Sequence, residues 1–140
     1  MKNKTFLFSL IVALLVSVST SFAQEKVHKA VFHLSTSDTL AYDALNIQLN
    51  NVLNHWPTAQ IEVVVHNNGI AFMQKSKSKH EESIQALAKR GVIFAVCENT
   101  LKRKKIDKQD IIAPAKFVPV GLAEIIEKQE EGWAYIKSGF

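Results

Sequence analysis

Between Gly91 and Glu98 the chain runs through six consecutive apolar residues, Val92 to Cys97 (VIFAVC). A run of that length without polar alternation suits a strand covered on both faces, as in a parallel sheet between helix layers. It is read as the central strand. The segment before it, Glu81 to Arg90 (EESIQALAKR), has acids at its start, bases at its end and Gly91 beyond, the order that suits a helix dipole and a glycine stop.

The same alternation extends along the chain. Val27 to Leu34 is short and rich in β-branched residues, and the capping cluster Ser35-Thr36-Ser37-Asp38 follows it. From Thr39 onward Leu45, Leu49, Val52, Leu53 and Trp56 recur at helical spacing until Pro57. Ile61 to His66 (IEVVVH) reads as a second strand, and Asn67-Asn68-Gly69 turns the chain toward Ile70 to Met73, before a basic loop at Lys75 to Lys79. After the apolar run, Asn99 or Thr100 is placed to cap a short helix bearing Leu101 and Lys102 to Lys105. Asp107 to Pro114 is a loop, Phe117 and Val118 a brief fourth strand, Gly121 to Glu131 a helix closed by Gly132, and Trp133 to Lys137 a final strand at the edge. Strands alternating with helices imply right-handed crossovers and an α/β fold, with a mainly parallel sheet of about five strands between helix layers.

The amino terminus reads as an export signal. Lys2 and Lys4 precede an apolar run from Phe6 to Val18 and the polar Ser19-Thr20-Ser21, and Ser21 and Ala23 put small residues where a signal peptidase reads. Cleavage is expected after Ala23, which places the protein in the periplasm or outside the cell with no stable membrane anchor, since the run is shorter than a spanning helix needs. Taking 23 residues from 140 leaves 117, enough for one domain with its own core, from residue 24 to 140. Without Lys2 and Lys4 the 17 basic side chains become 15 against 13 acidic ones, too even a balance for a nucleic-acid binder.

Reactive side chains gather at expected strand ends: His33 near the first, His66 at the second and Cys97 at the third. Ligands in open parallel sheets bind beyond the carboxyl ends of the strands, so the three can line one crevice if their strands are close neighbours. Cys97 is the chain's one cysteine, so it is buried and inert, paired between chains, or reactive. A thiol ahead of a helix amino terminus is biased toward thiolate, while Glu98 beside it pushes the other way; a buried free cysteine is equally at home as a small apolar filler. No short ligand spacing of the kind that marks a zinc site is present, so no metal or other cofactor is expected. Nor does Gly69 alone make a phosphate loop. Lys102 to Lys105 is either a solvated face or an attractor of anions above Cys97.

Three segments carry a resemblance: Val96-Cys97-Glu98-Asn99-Thr100-Leu101, Val118-Pro119-Val120-Gly121 and Gln129 to Ile136 (QEEGWAYI). Together they look like the DsrE/DsrF-like family, over Val27 to about Lys137 and most specifically from Gly91 onward. His66-Asn67-Asn68-Gly69-Ile70 is similar to the family's turn after the second strand, with Asn67 where glycine is expected; asparagine tolerates left-handed backbone. The resemblance implies a three-layer α/β/α domain that assembles into trimers or hexamers, and Cys97 as the family cysteine, with some members carrying sulfur as a persulfide. Two functions follow. In one, Cys97 takes sulfur from a donor, small compound or protein, and passes it to an acceptor, with His66 and His33 assisting proton transfer or binding a sulfur anion, Asn99 and Thr100 supplying helix-terminus donors and Gly69 lining the crevice. In the other, the protein is a non-catalytic oligomeric module that binds a small ligand or partner, and Cys97 is structural.

Overall fold

The computed structural model describes residues 26–139. The expected signal peptide and its cleavage after Ala23 lie outside the described residues. Five strands form one sheet: β1 (Lys29–Leu34), β2 (Gln60–Val65), β3 (Ile93–Cys97), β4 (Lys116–Val118) and β5 (Ala134–Ser138). Four helices connect them: α1 (Thr39–His55) between β1 and β2, α2 (Glu81–Lys89) before β3, α3 (Glu98–Lys104) after it, and α4 (Gly121–Glu130) between β4 and β5. Two 3-10 turns, Asn67–Phe72 and Lys108–Asp110, complete the chain.

The strand order is β4-β3-β2-β1-β5, and every pairing is parallel. The apolar run of β3 is therefore not the middle of the sheet; β2 is, with β1 and β3 as its neighbours. β2 looked less central in sequence because Glu62 interrupts its apolar residues, yet Ile61 through Val65 are all buried, Glu62 included. The reading of β5 as an edge strand holds, as does the adjacency of the first three strands.

Local chemistry sets the element ends. Asp38 caps α1, its Oδ1 accepting the Leu40 N–H at 2.9 Å, and Gly91 after α2 takes φ 95°. The start of α3 differs from expectation. Neither Asn99 nor Thr100 is the cap; Cys97 is, with φ −71° and ψ 112°. The strand enters the helix with no loop between, so the cap falls on the last strand residue.

Side chains alternate across the sheet and divide the core in two. Phe32, Leu34, Ile61, Val63, Val65, Phe94 and Val96 meet Leu45, Leu49 and Leu53 of α1, Ile84 and Leu87 of α2 and Leu101 of α3. On the other face Val31, Val64, Ala95 and Val118 pack with Ile125 of α4 and Trp133. The domain is thus an α/β/α sandwich, with α1 to α3 over one face and α4 alone over the other. Among the described residues no helix is long and apolar enough to cross a membrane.

Candidate functional site

Alternation places His33 with Val31 on β1, His66 with Val64 just beyond β2, and Cys97 with Ala95 on β3, all on the α4 face. Parallel register sets His33 opposite Val64 and Val64 opposite Ala95, so the three residues meet at the carboxyl end of the sheet, around the amino terminus of α4.

Gly121 opens α4, and its N–H, free of helix partners, donates to Cys97 Sγ at 3.3 Å. A Cβ on Gly121 would lie 3.2 Å from both Cys97 Cβ and His66 Cβ, and 3.3 Å from Val64 Cγ1. The missing side chain lets the helix amide reach the sulfur and seats the cysteine and histidine side by side beneath it. Cys97 is only 5% exposed. Burial pushes its thiol pKa up, but the Thr100 hydroxyl, the Gly121 and Thr100 N–H groups and, last, the Asn99 N–H outweigh it, and the pKa falls below that of an ordinary thiol. The Asn99 N–H also donates to the Pro119 carbonyl, at 3.2 Å. Glu98 does not press on the sulfur: its carboxylate is paired with Lys108, which also lowers its own pKa.

The turn after β2 supports this arrangement. Asn67 adopts φ 51°, the left-handed backbone for which glycine was expected. Its N–H donates to Thr100 Oγ1 at 3.0 Å, and its side-chain oxygen accepts from Arg103 at 3.2 Å. Gly69 belongs to the packing: a Cβ there would sit 2.3 Å from the Leu34 carbonyl oxygen, so only glycine lets the turn rest on the end of β1.

The two histidines bond to each other. His33 Nε2 and His66 Nε2 are 2.6 Å apart, and the ring planes differ by 14°. Their centroid separation of 4.8 Å is that N···N distance plus nearly a ring radius at each end, so the rings meet edge to edge in one plane rather than face to face. His33 Nδ1 in turn meets the Tyr135 hydroxyl at 2.8 Å. Burial, then His66 and Lys137, lower the pKa of His33; burial, then Arg103, lower that of His66. Both imidazoles are therefore neutral at neutral pH.

Residues 29–138 match the family model of the DsrE/DsrF-like family. The chain belongs to this family. It is similar in structure to the protein of unknown function MTH1491 from Methanobacterium thermoautotrophicum, with a TM-score of 0.75 and 29% identity over 79% of this chain and 98% of that one. No curated protein matches it. Family membership gives this DsrE/DsrF-like protein a sulfur-related function at the level of the family.

Of the residues singled out in sequence, Cys97, His66, His33 and Thr100 converge, Asn99 is exposed and pins the loop before α4, and Gly69 holds the turn. Sequence reasoning missed Tyr135, which joins only because β5 lies beside β1, and the contact of Gly121 with the sulfur, although its place at a helix start was visible. Among the described residues no group of three histidine, cysteine or acidic side chains is set to hold a metal. A polar cleft of about 590 Å³, lined by Asn68, Gln74, Lys104 and Lys105 among others, contains neither the cysteine nor the histidines.

Proposed function

We propose that this DsrE/DsrF-like protein is a sulfur carrier that holds sulfane sulfur as a persulfide on Cys97. The observation that carries the reading is the Gly121 N–H on Cys97 Sγ: a helix amino terminus aimed at a single thiol favours the thiolate, which is the nucleophile such chemistry needs. The thiolate forms an S–S bond to the outer sulfur of a donor R–S–SH, the donor's own S–S bond breaks, and R–S⁻ departs. An acceptor thiolate then attacks the outer sulfur of Cys97–S–SH and releases the Cys97 thiolate. Sulfur moves without net oxidation, so no cofactor is required. In this reading the carrier is exported, on the strength of its signal-like amino terminus, and works as a trimer or hexamer, as the resemblance implies.

Intact mass of the native protein after exposure to polysulfide tests the reading. A gain of one sulfur atom, removed by reductant and absent in Cys97→Ser, is expected; equal uptake by the serine variant sinks it.

One observation favours the second reading, a non-catalytic oligomeric module with a structural cysteine: the near-complete burial of Cys97. There the thiol alkylates only after unfolding. Alkylation of the native protein at a rate that follows thiolate formation excludes it.

A further inference from the structure

Tyr135 is 43% exposed, and its hydroxyl is the outer end of a continuous hydrogen-bonded chain, Tyr135 Oη to His33 Nδ1 at 2.8 Å and His33 Nε2 to His66 Nε2 at 2.6 Å. The inner end is His66, beside Cys97 beneath Gly121. His66 Nε2 is taken by His33, which leaves Nδ1 as the ring nitrogen free to exchange a proton with a molecule bound at Cys97. The in-plane meeting of the rings aligns an N–H with a lone pair, and one proton between the two nitrogens satisfies both. Two arrangements of protons fit the same atoms. In one, Tyr135 donates to His33, His33 donates to His66, and His66 carries its proton on Nδ1. In the other, His66 donates to His33, His33 donates to the tyrosine oxygen, and His66 Nδ1 is bare.

We propose that Tyr135, His33 and His66 form a proton path between solvent and the sulfur atoms at Cys97, a step that rests on the carrier reading above. When Cys97 takes sulfur, the departing thiolate receives the proton of His66 Nδ1. His66 is refilled at Nε2 from His33, His33 at Nδ1 from Tyr135, and Tyr135 from water: one proton enters at the hydroxyl and one leaves at His66. When an acceptor thiol attacks the persulfide, its proton returns to water by the same steps in reverse. The neutral imidazoles suit conduction, since a fixed positive charge on both rings would break the N–H···N link. His66 meets the reacting atoms; His33 and Tyr135 act through it.

The test uses the leaving group. Cys97 of the native protein is reacted with an aromatic disulfide and with an alkyl disulfide, and the ratio of the alkyl to the aromatic rate is followed in wild type, His33→Phe and Tyr135→Phe. An aromatic thiolate departs readily without a proton, whereas an alkyl thiolate benefits from one. In His33→Phe the ratio falls by roughly tenfold or more, less than the roughly hundredfold or greater contribution of a whole general acid because His66 itself remains. In Tyr135→Phe it falls less, because water can stand in at the exposed end. A structural role slows both reactions alike. A ratio that stays at its wild-type value in His33→Phe therefore overturns the path, whatever happens to the two rates separately. Wild-type Cys97 that reacts with neither disulfide before unfolding overturns both the path and the carrier. Wild-type Cys97 that exchanges with disulfides yet never holds added sulfur overturns the carrier alone, and the ratio still decides the path.

Discussion

α4 roofs two polar groups on one face of the sheet, and they handle burial in opposite ways. At its amino end Cys97 is buried, and amides and a hydroxyl converge on the sulfur to favour its charged form. Further along, beneath Glu124, lies Glu62, 1% exposed. Lys116 reaches it at 3.6 Å but is closer to Glu124, at 2.7 Å, and Glu62 Oε1 has no partner among the described residues. Burial first, then the hydrogen bond and charge of Glu124, push the Glu62 carboxyl up to about 7, against the pull of Lys116 and Lys128. For Glu124 burial acts upward too, but hydrogen bonds from Lys116 and Glu62 outweigh it and its pKa falls. Below about pH 7 the pair holds one proton, on Glu62. A buried ionisable group is thus shifted toward its charged form where backbone donors are aimed at it and toward its protonated form where they are not.

The largest effect should come from removing the proton-dependent member. Folded Glu62 keeps its proton up to about pH 7, while its ordinary value is 4.5, so the stability tied to that proton is complete below 4.5 and is lost as pH rises through 7. Glu62→Gln, which has nothing to ionise, should gain roughly 3 kcal/mol on wild type across that window, at about 1.4 kcal/mol per pH unit. Urea unfolding of both proteins through the window measures it, and parallel stability curves would break the contrast.

Thr100→Val comes next, at the cysteine end. It removes a donor from the sulfur and leaves the Asn67 N–H without its acceptor, which costs about 1–3 kcal/mol. The midpoint of alkylation against pH should move up, and Thr100→Ser should restore it. A midpoint that does not move in Thr100→Val shows that the hydroxyl does not act on the sulfur.

Gly121→Ala is the mildest. The added methyl presses on Cys97, His66 and Val64 at 3.2 to 3.3 Å and moves the amide off the sulfur. Replacing a glycine at the first helical position brings a gain of less than about 1 kcal/mol, which offsets part of the strain. Stability changes little, while native alkylation at neutral pH slows; unchanged alkylation would mean that the helix amide does not hold the thiolate.

This contrast also separates what was legible in the sequence from what was not. Caps, glycine stops and apolar periods are local signals, and they placed every strand and helix close to its observed position. The convergence of His33, His66 and Cys97 was legible too, because parallel strands put their carboxyl ends together. The left-handed Asn67 was readable from residue type alone. The centre of the sheet was not, since Glu62 reads as a break in the apolar pattern until Lys116 and Glu124, more than fifty residues later, are brought to it. Tyr135 was hidden for the same reason: nothing near it in the chain marks it as a partner of His33. Pairings between distant segments leave no periodicity to find.

The place of β5 beside β1 bears on how the protein is assembled. Tyr135 and His33 are separated by 102 positions, whereas His66 and Cys97 come from adjacent strands in the middle of the chain. Closing so long a loop carries a larger entropy cost than pairing neighbours, and contacts of that span slow folding. The thiol pocket can therefore take shape with the central strands and the start of α4, while the outlet to solvent waits for the last strand to dock. In the carrier reading, a partly folded chain has its thiol pocket before its proton path, so chemistry at Cys97 would reach full rate only once β5 has docked.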